Sequence, residues 1–227
     1  MDKIIKVSKR IETIASMIDR NSIMADIGTD HGYLAIYAVQ IGKASHCYAS
    51  DINANPLNVA IKNVARFGLE NKIDLKLADG ISQLESNVDT ITISGMGGSL
   101  MTSIFSSNKS KLKNVKTIIC QPNVGAFTIR KWLVNNGFMI VDEKIFEESG
   151  KYYEVIKAIK GEDYLTDKEI MFGPCLLKEK SSYFYKRWKD EFKFVSEIIK
   201  KVPRESEDYS RLRNYRNQID GVLKEIQ

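Results

Sequence analysis

The stretch Ala25–Leu34, ADIGTDHGYL, decides how the fold is organised. It follows the apolar residues Ile23 and Met24, contains two glycines, and leads into a helical pattern that begins near Tyr33. A strand, a glycine turn and a helix in this order form the frame in which α/β proteins hold a nucleotide. The stretch therefore predicts a nucleotide site, and it raises the question of which nucleotide tolerates the carboxylate of Asp30 in the turn.

The chain beyond this stretch alternates between β-rich and helical segments. Between residue 22 and about residue 160, helical stretches alternate with the runs IMADI, HCYASDI, IDLKLAD, TITISGMGG and KTIICQP. This alternation predicts a parallel α/β sheet. Two further extended runs flank Glu148–Lys151 and predict an antiparallel hairpin that closes the sheet. Residues 1–160 are therefore expected to form one α/β domain.

Helical patterns lie at both ends of the chain. Ile11, Ile14 and Ile18 recur at helical spacing and predict an N-terminal helix with a basic outer face. Residues 161–227 are expected to form a helical domain, in which two apolar stripes with steps of four and three flank a break at 203–208. The stripes are Phe184, Trp188, Phe192, Val195, Ile199 and Val202, then Leu212, Tyr215, Ile219, Val222 and Ile226. They predict an antiparallel hairpin with a coiled-coil-like seam, which either packs on itself, pairs with a second subunit or binds substrate.

Composition narrows the class of protein. The 227-residue chain carries a modest net charge of +5, and charged residues interrupt its N-terminus, which argues against a signal peptide or membrane span. Cys47, Cys120 and Cys175 are widely spaced and form no CxxC pair, so we expect free thiols in a reducing compartment and no metal site. The sequence thus predicts a cytoplasmic protein without a membrane partner, and it leaves the oligomeric state open.

Three interpretations of the glycine turn compete. A phosphate-binding loop would need Gly-Lys-Ser or Gly-Lys-Thr, which does not follow here. A dinucleotide site, as in a dehydrogenase, would need Gly-x-Gly-x-x-Gly, whereas this turn places Asp30 between Gly28 and Gly32, where phosphates should rest. S-adenosylmethionine carries no phosphate but has a sulfonium and an ammonium, so the acids Asp26 and Asp30 favour this cofactor.

Acidic residues recur where successive strands should end. Asp26, Asp51 and Asp79 follow the first three runs, and parallel strands bring such ends to one edge of the sheet. Asp51 suits a ribose diol, and Asp79 could accept from an adenine amine while Gly80 allows the ring to approach. Any one of these acids could equally be a helix cap, but the three in register favour a cofactor site.

The next two strand ends predict the acceptor side of the site. Ser94-Gly95-Met96-Gly97-Gly98 allows either a close approach of a flat base or simply a tight strand-to-helix turn. Gln121-Pro122-Asn123 offers amides at the same edge. His31 is interpreted as a helix-start residue beside the cofactor rather than as a general base.

With these motifs the sequence resembles the TrmK family of bacterial class I S-adenosylmethionine-dependent tRNA methyltransferases, which act on N1 of adenine 22. The resemblance is carried by ADIGTDHGYL at 25–34, YASDINANPL at 48–57, LADG at 77–80, ISGMGG at 93–98 and QPN at 121–123. It continues through EESGKYYEVI at 147–156 and FGPCLLKE at 172–179 into the helical tail. The resemblance implies a seven-stranded Rossmann-like sheet with an antiparallel final strand, and tRNA as partner.

The candidate site residues follow from the motifs together with this resemblance. The cofactor contacts are expected to be Asp26, Gly28, Asp30, His31, Gly32, Asp51, Ile52, Asp79, Gly80 and Gly95. The candidates for the chemical step are Asp30, Ser94, Gly95 and Met96. The candidates for contacting the RNA are Tyr33, Met96, Gly97, Gly98, Gln121, Pro122, Asn123, Lys6, Lys9 and Arg10.

The expected function is methylation of N1 of adenine 22 in tRNA. Two alternatives are a class I methyltransferase with a small-molecule or protein acceptor, and a non-catalytic module that assembles through its helical hairpin. A dehydrogenase is a remote further alternative.

Overall fold

A computed structural model describes residues 4–225 and shows a seven-stranded sheet in the order β3-β2-β1-β4-β5-β7-β6. The strands are β1 Ser22–Ile27, β2 Ala44–Asp51, β3 Ile73–Leu77, β4 Thr90–Gly97, β5 Thr117–Val124, β6 Phe138–Glu148 and β7 Lys151–Lys160. The first five are parallel, whereas β7 is antiparallel to both β5 and β6. The predicted parallel sheet with an antiparallel final hairpin is confirmed.

Helices cover the sheet and form the C-terminal part. They are α1 Lys9–Met17, α2 Tyr33–Gln40, α3 Ala54–Arg66, α4 Gly98–Ser107, α5 Ala126–Asn135, α6 Asp167–Phe172, α7 Pro174–Glu179, α8 Ser182–Ile199 and α9 Glu207–Lys224. Apolar residues of α1, α2 and α3 join one buried cluster with the sheet, and residues of α4 and α5 join another. The carboxyl ends of the strands, where the site is expected, therefore rest on a core packed on two sides.

The C-terminal helices form the predicted hairpin, and they also pack on the sheet. Phe184 and Trp188 of α8 share a buried cluster with Ile219 of α9 and with Ile145 of β6. The break between the two helices covers 200–206 rather than 203–208, because Ser206 caps α9 through the backbone amide of Tyr209. Val202 lies in this break, and the predicted stripe residue Ile226 lies outside the described residues. The division into domains at residue 160 stays a prediction, although β7 ends there.

A buried ionic network joins the helical part to the sheet. Arg130 of α5 is fully buried and donates to Glu143 of β6 at 2.6 Å and to Glu154 of β7 at 2.5 Å. Glu143 also accepts from the amide of Cys175 at the start of α7. Glu154 pairs in addition with Arg187 of α8 at 3.1 Å. Because both carboxylates are shared, this network fixes where α7 and α8 sit on the sheet.

None of the helices between residues 4 and 225 is long and apolar enough to cross a membrane. Within residues 4–225, no three His, Cys, Asp or Glu side chains are grouped so that they could hold a metal ion.

Candidate active site

A cavity of about 570 Å³ opens at the carboxyl ends of β1, β2 and β4. It is lined by every predicted cofactor residue except Gly32, and by the acceptor candidates Tyr33, Ser94 and Met96. It also includes residues that the sequence did not single out, namely Asn53, Leu100 and Ile104. The acids predicted at successive strand ends therefore do meet at one edge of the sheet.

Asp26 lies at the bottom of this cavity and connects two of its elements by hydrogen bonds. Its carboxylate is buried and accepts hydrogen bonds from the hydroxyls of Thr29 and Thr92, each at 2.7 Å. Burial raises the pKa of Asp26, and the two threonine hydrogen bonds oppose that rise. The side chain thus ties the glycine turn to β4 as well as lining the cavity.

Asp51 fixes the loop that carries Asp30. One carboxylate oxygen of Asp51 accepts from the backbone amide of Asp30 at 3.1 Å, and the other accepts from that of Asn53 at 2.8 Å. These bonds hold Asp30 at a positive φ of 54°, with its side chain 70% exposed. His31 Nδ1 lies 3.4 Å from the Asp30 carboxylate. The negative charge of Asp30 is therefore presented at the mouth of the cavity.

Two glycines in the cavity combine a positive φ with close neighbours. A Cβ on Gly28 would lie 2.3 Å from Met96 Cε, and one on Gly80 would lie 2.7 Å from Ile104 Cγ2. Both residues also have positive φ, which disfavours any side chain there. Gly32 differs, because it begins α2 outside the cavity, and a Cβ there would meet Ala60 of α3 at 3.2 Å. Gly32 thus has a packing role, and its contact with the cofactor stays a prediction.

The backbone of Gly95 is held by two side-chain amides. Gly95 N donates to Gln121 Oε1 at 3.2 Å, and Gly95 O accepts from Asn123 Nδ2 at 2.7 Å. Gln121 Nε2 in turn donates to Asn123 Oδ1 at 3.2 Å. Arg10 Nη1 donates to the same Gln121 oxygen at 3.1 Å. Residues from α1, β4 and β5 thus form one hydrogen-bonded unit beside the cavity.

The predicted RNA contacts Gly97, Gly98, Gln121 and Pro122 do not line the cavity. Gln121 and Pro122 are buried in β5, and Gln121 is fully inaccessible because it serves Arg10 and Gly95. A Cβ on Gly98 would lie 2.2 Å from the carbonyl oxygen of Gly125, so this glycine serves the packing of two loops. Gly97 pairs with Val124 in the sheet. These packing roles account for the four residues within the protein, and their direct contact with substrate stays a prediction.

A second cavity of about 760 Å³ adjoins the first and shares Arg10 with it. It is bordered by Asn123, by the tip of the β6–β7 hairpin and by α8. Tyr152, Tyr153 and Phe194 supply aromatic surface, whereas Glu148, Asp190 and Glu191 supply acids beside Lys151 and Arg187. This cavity could not be predicted from the sequence, because it forms only where α8 packs beside the hairpin.

The other predicted basic contacts lie on the surface near α1. Lys6 is exposed. Lys9 Nζ lies 5.3 Å from the ring centre of Phe146 and 5.0 Å from that of Tyr183. Neither lysine lines the two cavities, so Arg10 is the predicted cation that reaches them.

A Rossmann-like sheet with an acid-lined cavity at its carboxyl edge defines a class I S-adenosylmethionine-dependent methyltransferase. Comparisons with known proteins identify the family. Residues 24–225 match the model of the TrmK family, tRNA (adenine(22)-N(1))-methyltransferase. The tRNA (adenine(22)-N(1))-methyltransferase of Bacillus subtilis (strain 168) is 36% identical over 231 residues, covering 98% of this chain and 97% of the relative. The chain belongs to the TrmK family.

Solved structures agree with this membership. Sp1610 of Streptococcus pneumoniae, in complex with S-adenosyl-L-methionine, has a TM-score of 0.90 at 36% identity, over 96% of this chain and 100% of that one. TrmK of M. capricolum, in complex with S-adenosyl-homocysteine, has a TM-score of 0.88 at 31% identity, over 97% and 99%. The predicted fold, enzyme class, cofactor and reaction, methylation of N1 of adenine 22 in tRNA, are thereby confirmed.

Proposed function

We propose that the first cavity holds S-adenosyl-L-methionine with its methionine end at the glycine turn and its adenine at Gly80. Asp30, and Asp26 beneath it, supply negative charge for the ammonium and the sulfonium. Asp51 supplies acceptors for the ribose diol, since each of its oxygens keeps a lone pair beyond its bond to a backbone amide. Ile52 and Ile104 provide apolar surface beside Asp79, the proposed acceptor for the adenine amine.

The chemical step needs positioning more than proton transfer. Neutral adenine carries a lone pair on N1, so attack on the sulfonium methyl requires no prior deprotonation. The N1–CH₃ bond forms as the S–CH₃ bond breaks, which leaves S-adenosylhomocysteine and a cationic adenine. Ser94, Gly95 and Met96 line the cavity where the target base would enter, and Tyr33 faces the same space. The exposed carboxylate of Asp30 would favour the positive charge that develops on the base.

Binding of the RNA extends from Arg10 into the second cavity. Arg10 borders both cavities, so its guanidinium is placed to contact the backbone next to the target base. Lys6 and Lys9 would add sequence-independent attraction to phosphates. The aromatic wall of Tyr152, Tyr153 and Phe194 would accommodate neighbouring bases. In this proposal residues 1–160 form the catalytic domain, and residues 161–227 help to bind the RNA. The protein acts in the cytoplasm.

The observation that carries the site assignment is the convergence of Asp30, Asp51, Asp79 and Gly95 on one cavity that shares Arg10 with a larger one. The test is methyl transfer from labelled S-adenosyl-L-methionine to unmodified tRNA, followed by nucleoside analysis. Wild type should form N1-methyladenosine, which should be lost when position 22 of the tRNA is guanine. Asp30→Ala and Asp51→Ala should lose most of the activity.

The matched control is Asp74→Ala, which removes a half-exposed acid near the amino end of β3. It should retain wild-type activity. Full activity in Asp30→Ala and Asp51→Ala would contradict the proposed cofactor contacts.

A further inference from the structure

The loop between β5 and α5 presents an apolar tip that has no role in the proposed methyl transfer. Val124 is 71% exposed and Phe127, in the first turn of α5, is 48% exposed. Val124 lies outside both cavities of the site. Phe127 borders a separate cavity against α8 and α9. Isolated apolar residues on a surface are common. This tip differs from them in its position and its rigidity.

The tip is rigid. Gly125 has a positive φ of 73° at the start of α5, and its carbonyl accepts from the amide of Thr128 at 3.0 Å. A Cβ on Gly98 would lie 2.2 Å from the same carbonyl oxygen, so the loop packs closely against the first turn of α4. Val124 is in addition paired with Gly97 across the sheet. The backbone of this loop can therefore keep its conformation when the side chain of Val124 contacts a ligand.

The tip also stands beside the proposed acceptor site. Asn123, which precedes Val124, donates to the carbonyl of Gly95. Two steps back along β5, Pro122 is in register with Met96. Strand geometry places residues two apart at about 7 Å, which is roughly two base-stacking steps and so the width of the gap that one extruded base leaves between its neighbours. The exposed valine is therefore about 7 Å along β5 from the residue that is in register with Met96.

The chemistry of the substrate supplies a reason for such a tip. N1 lies on the pairing edge of adenine, and a base inside a folded RNA must leave its stack before an enclosed site can reach it. The gap that remains is lined by the faces of the neighbouring bases, and apolar side chains are known to enter such gaps and to favour unstacking. An uncharged aliphatic tip matches this gap, whereas a basic side chain would match the phosphates.

We propose that Val124 is a wedge that enters the base stack of the tRNA and occupies the space that adenine 22 leaves. This inference rests on the proposed function, because it takes Met96 and Gly95 as the place where the extruded base is held. The wedge acts on the RNA before methyl transfer and contacts neither the cofactor nor the reacting atoms. Val124 is thus a positioning residue, and its loss should affect extrusion of the base rather than binding of the cofactor.

The experiment uses the full chain, saturating S-adenosylhomocysteine and a tRNA with 2-aminopurine at position 22, whose fluorescence rises when the base unstacks. Val124→Ser removes the apolar tip, and Val124→Leu keeps it. Ile61→Ser is the matched control, because Ile61 is 47% exposed on α3. Single-turnover methylation of unmodified tRNA is measured with the same variants.

Wild type, Val124→Leu and Ile61→Ser should all give the fluorescence rise. Val124→Ser should lose most of it and should methylate tRNA about tenfold more slowly, as expected when a base must leave its stack unaided. Its affinity for S-adenosylhomocysteine should not change, which also verifies that the variant is folded. Equal rates and equal fluorescence in Val124→Ser and wild type would overturn the wedge, as would a loss of rate with an unchanged fluorescence rise. By contrast, absence of N1-methyladenosine with wild type would count against the proposed function itself.

Discussion

Asn123 Nδ2 donates to the carbonyl oxygen of Gly95 at 2.7 Å, which joins the end of β5 to the GMGG turn of β4. The amide group of Gly95 is held from the other side by Gln121. Gly95 has a positive φ of 77°, so its peptide groups depend on these two side chains for their orientation. The acceptor junction and the tip of the β5–α5 loop are therefore parts of one rigid unit.

Removing this contact should slow methyl transfer without weakening cofactor binding. In Asn123→Ala the carbonyl of Gly95 loses its partner, and the acceptor base is held less firmly in line with the sulfonium. We expect the single-turnover rate to fall about tenfold, because misplacement of reacting groups is costly. The affinity for S-adenosyl-L-methionine, measured by calorimetry, should stay within about twofold, since Asn123 does not line the cofactor cavity.

The control for this variant is Asn114→Ala. Asn114 Nδ2 donates to the carbonyl of Ser86 at 2.8 Å, so it makes the same kind of bond at an exposed position away from the site. It should keep the wild-type rate. A tenfold loss of cofactor affinity in Asn123→Ala would show that its role had been misassigned.

Asp51→Asn should weaken cofactor binding. The carboxylate of Asp51 accepts from two backbone amides, whereas an asparagine has one oxygen and must present its NH₂ group to one of them. Loss of a charge-assisted hydrogen bond costs about 1.5–3 kcal/mol, so Kd for S-adenosylhomocysteine should rise about 10- to 100-fold. The measurement is calorimetric titration, with Asp74→Asn as the control that leaves Kd unchanged. An unaltered Kd in Asp51→Asn would remove Asp51 from the cofactor site.

The sheet and the cofactor edge could be predicted from the sequence because both are encoded locally. Apolar runs of strand length mark the seven strands, and Glu148–Lys151 marks the hairpin turn. The proximity of Asp26, Asp51 and Asp79 could be predicted, since parallel strands end at a common edge of the sheet. Local pattern and topology were sufficient here.

The second cavity and the support of Gly95 could not be predicted in this way. Gln121 was predicted to offer its amide at the edge of the sheet, but its side chain is buried and its oxygen accepts from Arg10, 111 residues away in the chain. Gly98 looked suited to contact a base, but its space is taken by Gly125 O. Each outcome depends on a contact between elements distant in sequence, and no periodicity or spacing records such a contact.

The ionic network around Glu154 should make stability depend on pH in the acidic range. Burial raises the pKa of Glu154, but the guanidinium groups of Arg130 and then Arg187 outweigh it, so the pKa lies below its ordinary value of 4.5. A carboxylate with a lowered pKa stabilises the folded state above its unfolded pKa, and this contribution is lost as the pH falls through the folded pKa. Glu154→Gln should therefore be destabilising by about 3–5 kcal/mol at pH 7, since it leaves buried guanidinium groups short of a partner.

Urea denaturation between pH 7 and pH 3 provides the measurement. The difference in unfolding free energy between wild type and Glu154→Gln should be constant at neutral pH and shrink below about pH 4.5. Glu197→Gln is the control, because Glu197 is exposed and pairs only with Lys200 of the described residues at 2.6 Å. Its effect on the unfolding free energy should be small at every pH, because an exposed ion pair contributes little. A difference for Glu154→Gln that grows on acidification would contradict the assigned direction.

Gly98→Ala should disturb both the fold and the proposed wedge, because its Cβ would lie 2.2 Å from the carbonyl oxygen of Gly125. Backbone cannot rotate away as a side chain can, so one of the two loops must shift, at a cost of about 1–3 kcal/mol in unfolding free energy. Gly221→Ala in α9 is the matched control, since nothing lies within 4 Å of its Cβ and alanine favours a helix by about 0.5–1 kcal/mol. Urea denaturation should therefore show opposite signs for the two variants. The shift would also displace Val124 from its place beside Gly97. Gly98→Ala should therefore reduce the fluorescence rise of 2-aminopurine-labelled tRNA, whereas Gly221→Ala should not change that rise.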